Sequence, residues 1–203
     1  MHNTAILEDN FTVCIARCPN LLSLALWTNQ EPYCPALVEN LLRVGLKYLS
    51  FDIDPFIGAL AEHGQTLPIP FPTVTHLELI GEVNEVNLRQ VKAYFPALTH
   101  LAITGLVSNS ISVLRDALNI FGRQLKALIW YQCTPGTSRT RTDEPPRAAR
   151  TSEYTAEEDP RIVILWYGWS FVNTWREGVT GGLGIWMTAD EAVRARLAGA
   201  VET

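Results

Sequence analysis

An apolar pattern, L-x-x-L-x-L, recurs along the chain at a nearly constant interval and constrains the fold more than any other feature. Its copies are Leu21-Leu24-Leu26, Leu46-Leu49-Phe51, Val74-Leu77-Leu79, Leu98-Leu101-Ile103 and Leu125-Leu128-Trp130. Successive copies begin 25, 28, 24 and 27 residues apart, and a sixth, degenerate copy is expected to start at Ile162, inside Ile162 to Tyr167. Alternating apolar residues over so short a length predict a strand. A fixed period in this range is the mark of stacked structural units.

Punctuation between the copies is also shared. Pro19, Pro72 and Pro96 each stand two residues before the first apolar position, where proline ends a preceding helix. Gly81 and Gly105 follow strands, where the chain must turn away. Between strands the period shifts to about 3.6, which predicts helices at Pro35 to Val44, Asn84 to Phe95 and Ile111 to Phe121. The last of these places Ile111, Leu114, Leu118 and Phe121 on one face, with Asn109 or Ser110 as N-cap. One strand and one helix cannot bury both of their apolar faces alone, so the units must stack. The predicted fold is a single α/β domain over residues 1–203: a leucine-rich-repeat-like solenoid with a parallel sheet on its concave face and helices outside.

Composition supports a closed core without disulfides or metal, since 47% of 203 residues are hydrophobic. Sixteen Lys and Arg against 21 Asp and Glu give a net charge of −5, the wrong sign for a chain that neutralises phosphates. No apolar run approaches a membrane span of about 20 residues and the N-terminus lacks a secretory layout, so the expected compartment is cytoplasmic or nuclear. Cys14, Cys18, Cys34 and Cys133 are expected to be reduced and to act as small buried apolar side chains.

The pairs Val74-Thr75-His76-Leu77-Glu78-Leu79 and Leu98-Thr99-His100-Leu101-Ala102-Ile103, with Asp159-Pro160-Arg161-Ile162-Val163 and a closing Trp/Gly-rich stretch, carry a resemblance. Over residues 11 to 199 the chain resembles the leucine-rich-repeat region of basidiomycete F-box-type proteins. That resemblance implies a substrate-reading face and, through an upstream F-box, recruitment of a cullin ubiquitin ligase by a Skp-type adaptor. The stretch from Ile6 to Arg17 ahead of the first repeat is helix-like and unlike an F-box, so only the recognition half is expected in this sequence.

From Thr134 to Asp159 the repeat stops and Thr, Arg, Pro, Ser, Glu and Asp dominate, which predicts a flexible insertion. Its Arg139, Arg141, Arg147 and Arg150 suit an acidic partner, and Ser138, Thr140, Thr142 and Ser152 are phosphorylation candidates beside them. Residues 166–203 read as a C-terminal cap. Trp166, Trp169, Phe171, Trp175 and Trp186 are expected to cover the open end of the last repeat, followed by a helix over Ala189 to Leu197. Gly178, Gly181, Gly182 and Gly184 lack the flanking strand and the Gly-Lys-Ser/Thr ending of a phosphate loop. No nucleophile or zinc motif occurs, and no cofactor or metal is expected.

Strand alternation turns the third, fifth and seventh repeat positions toward the concave face. That face comprises Ser23, Ala25 and Trp27; Tyr48, Ser50 and Asp52; His76, Glu78 and Ile80; His100, Ala102 and Thr104; and Ala127, Ile129 and Tyr131. Trp27, Tyr48, Asp52, His76, Glu78, His100, Thr104 and Tyr131 are the candidate partner-binding residues, with the large aromatics as anchors. His76 and His100 occupy one repeat position and are expected to hydrogen-bond across the sheet. The expected function is non-catalytic protein–protein interaction on the concave face, without nucleic acid or membrane. A truncated product without independent activity, and an enzyme using the His76, His100 and Glu78 cluster, are the alternatives.

Overall fold

A computed structural model of the protein describes residues 12–27, 35–63, 71–104, 110–133, 159–167, 175 and 184–199. Each apolar copy forms a strand where the alternation predicts one. They are β1 (Ser23–Leu26), β2 (Tyr48–Asp52), β3 (His76–Ile80), β4 (His100–Thr104), β5 (Ala127–Cys133) and β6 (Ile162–Tyr167). All six lie in one sheet in sequence order, and every neighbouring pair is parallel. Register follows the repeat, with Leu49 paired to Leu77, Leu77 to Leu101 and Leu101 to Leu128.

The backbone explains why the units keep step. Before β2 to β5, two successive amides converge on one carbonyl of the preceding unit. Lys47 and Tyr48 donate to Leu22 O, Thr75 and His76 to Lys47 O, Thr99 and His100 to Thr75 O, and Lys126 and Ala127 to Thr99 O. A slip of one residue would break this pattern and turn every apolar side chain to the wrong face.

The sixth copy starts at Asp159, not Ile162, because Ile162 pairs with Leu128, the fourth position of its own copy. A charged pair stands where the other copies begin with an aliphatic residue. Arg161 donates to Asp159 Oδ2 at 2.6 Å and to the carbonyls of Gly122 at 2.6 Å and Leu125 at 3.2 Å. Those carbonyls lie just ahead of β5, so the ion pair stitches β6 onto the stack.

On one sheet face pack the helices α1 (Pro35–Arg43), α2 (Ile53–His63), α3 (Glu85–Tyr94) and α4 (Ser110–Phe121). Pro35 opens α1 at a position where its missing N–H costs nothing. Asn84 caps α3, its side chain accepting from the Asn87 amide at 3.0 Å while Asn87 Oδ1 accepts from the Asn84 amide at 3.2 Å. The buried stripe of α4 is Val113, Leu114, Ala117 and Phe121; Ile111 is exposed and Leu118 only half-buried. The face thus centres on the small Ala117. Beneath the helices, Phe51, Phe56, Phe71 and Phe95 form a buried aromatic stack, with Phe51–Phe56 ring centroids 4.0 Å apart and Phe71–Phe95 5.0 Å apart. Phe71 and Phe95 are the residues before Pro72 and Pro96, so the punctuation also delivers core side chains.

Gly81 turns the chain after β3 at φ +111, with Ile53 Cγ2 3.6 Å from where a Cβ would lie. Cys14 and Cys18 are exposed, in contrast to the expected burial, because only Ile15 of that helical turn reaches the core. Gly105, residues 134–158 and most of the Trp/Gly-rich stretch, where further expectations fall, lie outside the described residues.

The largest departure concerns the expected cap. The last helix, α5 (Ile185–Gly199), does not close the end of the stack but lies on the sheet face opposite α1 to α4. Ile185, Trp186, Ala189 and Val193 of α5 share an apolar cluster with Ala102, Ala127, Ile129, Tyr131, Val163 and Leu165. The sheet is therefore covered on both sides over β4 to β6. No helix among the described residues is long and apolar enough to cross a membrane.

Candidate recognition face

The eight nominated side chains do come to one face, because pairs such as Tyr48↔His76, His76↔His100 and Thr104↔Tyr131 are direct neighbours across parallel strands. Their accessibility divides them. Glu78 is 3% exposed, His100 5%, Thr104 1% and Tyr131 1%, so none of these four offers a contact surface. Trp27, Tyr48, Asp52 and His76 remain half-exposed at the β1–β3 side. The concave face expected to be open from end to end is open only in part.

The position of α5 accounts for much of this. Trp186 packs edge-on against His76 and His100, with ring centroids at 5.2 and 6.4 Å. Asp190 Oδ1 accepts from His100 Nε2 at 2.9 Å. Arg196 donates to Pro160 O at 3.3 Å and to Ile162 O. Ten residues of helix rise about 15 Å, and the three strand spacings from β3 to β6 span about 14 Å. The helix thus crosses the strands nearly at right angles, over their amino-terminal ends.

Three rings form a ladder beside it. His76 and His100 stack with centroids 4.1 Å apart at an interplanar angle of 5°, and Tyr48 lies 4.5 Å from His76. The imidazoles do not bond across the sheet as expected. Each Nδ1 bonds the hydroxyl of the preceding threonine on its own strand, Thr75 or Thr99, at 2.8 Å. The sheet-crossing bonds are made by those threonine hydroxyls, from Thr99 to Thr75 O at 3.2 Å and from Thr75 to Lys47 O at 3.4 Å. His100 Nε2 donates to Asp190, while its Nδ1 and the Thr75 carbonyl share the single Thr99 hydroxyl proton. Burial holds His76 far below the ordinary histidine range, at about 3, and the His100 ring beside it acts in the same direction, against the pull of Asp190. His76 is therefore an uncharged ring throughout the neutral range.

A second polar element lies further along the strands. Trp27 Nε1 donates to Ser50 Oγ at 2.8 Å, Ser50 bonds the Glu78 carboxyl group, and Thr104 Oγ1 donates to Glu78 Oε1 at 3.0 Å. These bonds tie four consecutive strands together. Burial pushes the Glu78 carboxyl above its usual range, only partly opposed by the two hydroxyls. Glu78 bonds Ser50 and Thr104, while the His100 nitrogens face Thr99 and Asp190. Among the described residues no three His, Cys, Asp or Glu side chains are arranged to hold a metal ion.

Sequence reasoning missed Asp190 and the placement of Trp186, although a signal was present. Strands buried on both faces read as continuous apolar runs. Ala127-Leu128-Ile129-Trp130-Tyr131 and Ile162-Val163-Ile164-Leu165-Trp166-Tyr167 are such runs, whereas Tyr48-Leu49-Ser50-Phe51-Asp52 alternates. Comparison of the chain with protein-family models, curated proteins and solved structures returns no match.

Proposed function

We propose that this chain is a non-catalytic protein-recognition module of leucine-rich-repeat type, its strand–helix units stacked as a solenoid. Binding takes place on the sheet face at the β1–β3 side. The observation that carries this reading is a set of half-exposed side chains on one sheet face, the cross-strand neighbours Tyr48 and His76 at the start of their strands and Trp27 and Asp52 at the far ends of β1 and β2. Large rings on a rigid sheet lose little entropy when a partner packs on them, which suits them as anchors. Asp52 adds a carboxyl group at the rim, so the favoured partner segment combines apolar groups with a cationic one.

The resemblance to F-box-type proteins extends the proposal to a substrate-reading role in a ubiquitin-ligase receptor, with the Skp-type adaptor bound elsewhere. The test is a pull-down with wild-type chain and the Trp27→Ala and Tyr48→Ala variants, with captured proteins identified by mass spectrometry. A protein captured by wild type and lost from both variants, with circular dichroism unchanged, is the expected outcome. Equal capture by folded variants defeats the assignment of this face. Tyr131 is unsuitable for such a test, because at 1% exposure its truncation would report on stability.

A further inference from the structure

The geometry points to α5 as an internal occupant of the sheet face, held where a partner's amphipathic helix of the same chemistry docks in its place. This inference rests on the recognition role proposed above and names the class of partner and its regulation. Three observations carry it.

The first is how α5 is held. Only Ile185, Trp186, Ala189 and Val193 of its fifteen residues are buried, whereas all five residues of β4 beneath it are. Met187 and Leu197 are exposed on α5 at 41% and 49%. Its hold on the sheet is thus one narrow apolar stripe, which a peripheral element can release while the core stays folded.

The second is the surface α5 occupies. Ala102 and Ala127 are diagonal to each other on adjacent strands, Ala102 directly beside Ile129, with Val163 and Leu165 in the same cluster. Small residues between larger aliphatic ones make a shallow apolar seat across which a helix backbone can lie close to the sheet. Uncovered, this seat would join the Tyr48–His76 rings as one continuous surface, since Tyr48 already packs against the same cluster.

The third is chemical matching at the edge of the seat. The Trp186 ring meets the His76–His100 stack, and Asp190, four residues on, accepts from His100. Lys126 lies close enough to act electrostatically on His76. The donor on His100 and the charge on Lys126 favour a carboxylate at that position. The partner is therefore a helix bearing an aromatic residue, a carboxylate four positions later and small or aliphatic residues along the same face.

The experiment uses the full chain and, as probe, a fluorescein-labelled synthetic peptide with the sequence of residues 184–199. Fluorescence anisotropy compares its binding to wild type and to the Trp186→Ala/Asp190→Ala variant, whose own helix is weakened. A tethered occupant competes at an effective concentration in the millimolar range, so binding to the variant at least about tenfold tighter is expected. A control peptide carrying Trp186→Ala and Asp190→Ala should bind neither chain. Equal affinity of the probe for the two folded chains, or no binding to the folded variant, overturns the inference.

Hydrogen exchange on the wild-type chain decides the matter should the variant fail to fold. Amides of α5 exchanging faster than those of β3 and β4 support a latch, and equal rates refute it. A failed probe with Trp27-dependent capture leaves the recognition role standing without the latch, and a binding probe with Trp27-independent capture does the reverse.

Discussion

Replacing Glu78 by glutamine exchanges one carboxyl oxygen for an amide nitrogen in the sheet face and removes a titration that burial has displaced. In the folded chain the carboxyl group is fully enclosed, and burial raises its pKa above the ordinary value of 4.5. Below that value both folded and unfolded chains are protonated and the stabilising increment is fully present. As pH rises, the unfolded chain ionises while the folded chain does not. Stability is then lost at up to about 1.4 kcal/mol per pH unit, until the folded-state value is passed. Glutamine keeps the geometry, since its carbonyl can accept from Thr104 and its amide can donate to Ser50. The Glu78→Gln variant should therefore be close to wild type at pH 4.5 and increasingly more stable above it. The gap should widen steadily with pH from 5 upward until the folded-state value is passed. Urea denaturation of both proteins at one-unit steps from pH 4.5 to 7.5 measures this directly. A gap that stays constant with pH, or a wild type that gains on the variant as pH rises, would refute a buried neutral carboxyl group at this position.

His76 should act with the opposite sign: its depressed value means that stability is lost as pH falls below 6.5 toward about 3. His76→Phe should flatten that acid limb while keeping the ring stack, by less than about 1.4 kcal/mol per pH unit because the ring is half-exposed. Gly81→Ala should destabilise by more than about 1 kcal/mol, read as a lowered urea midpoint, because φ +111 suits no L side chain. Asn84→Ala should cost about 1 kcal/mol by removing the side-chain arm of the α3 cap, the one that accepts from the Asn87 amide, with no change in the denaturant slope.

Much of the sheet was legible because its determinants are local and repeated. Leu49, Leu77, Leu101 and Leu128 recur at the same position of successive copies, and a single parallel stack is the arrangement that buries them together. The start of the sixth copy was obscured because Asp159 and Arg161 replace an apolar position by an ion pair, which no hydrophobic pattern registers. The site was less legible, for a different reason. The periodicity of Ile185, Ala189 and Val193 says that one side of α5 is apolar but carries no address for the surface it covers. That address lies in Ala102, Ile129, Val163 and Leu165, apolar residues on the face first expected to be open. Asp190 is remote in sequence from His100, and only the fold brings them together.

The seating of α5 on the sheet face is tested most directly by nuclear Overhauser contacts from the Trp186 indole in the wild-type chain. Ring centroids 5.2 and 6.4 Å from His76 and His100 predict cross-peaks to the protons of both imidazoles. Their absence, with cross-strand contacts between β3 and β4 intact, would contradict the placement of α5 and reopen the whole face from β1 to β6.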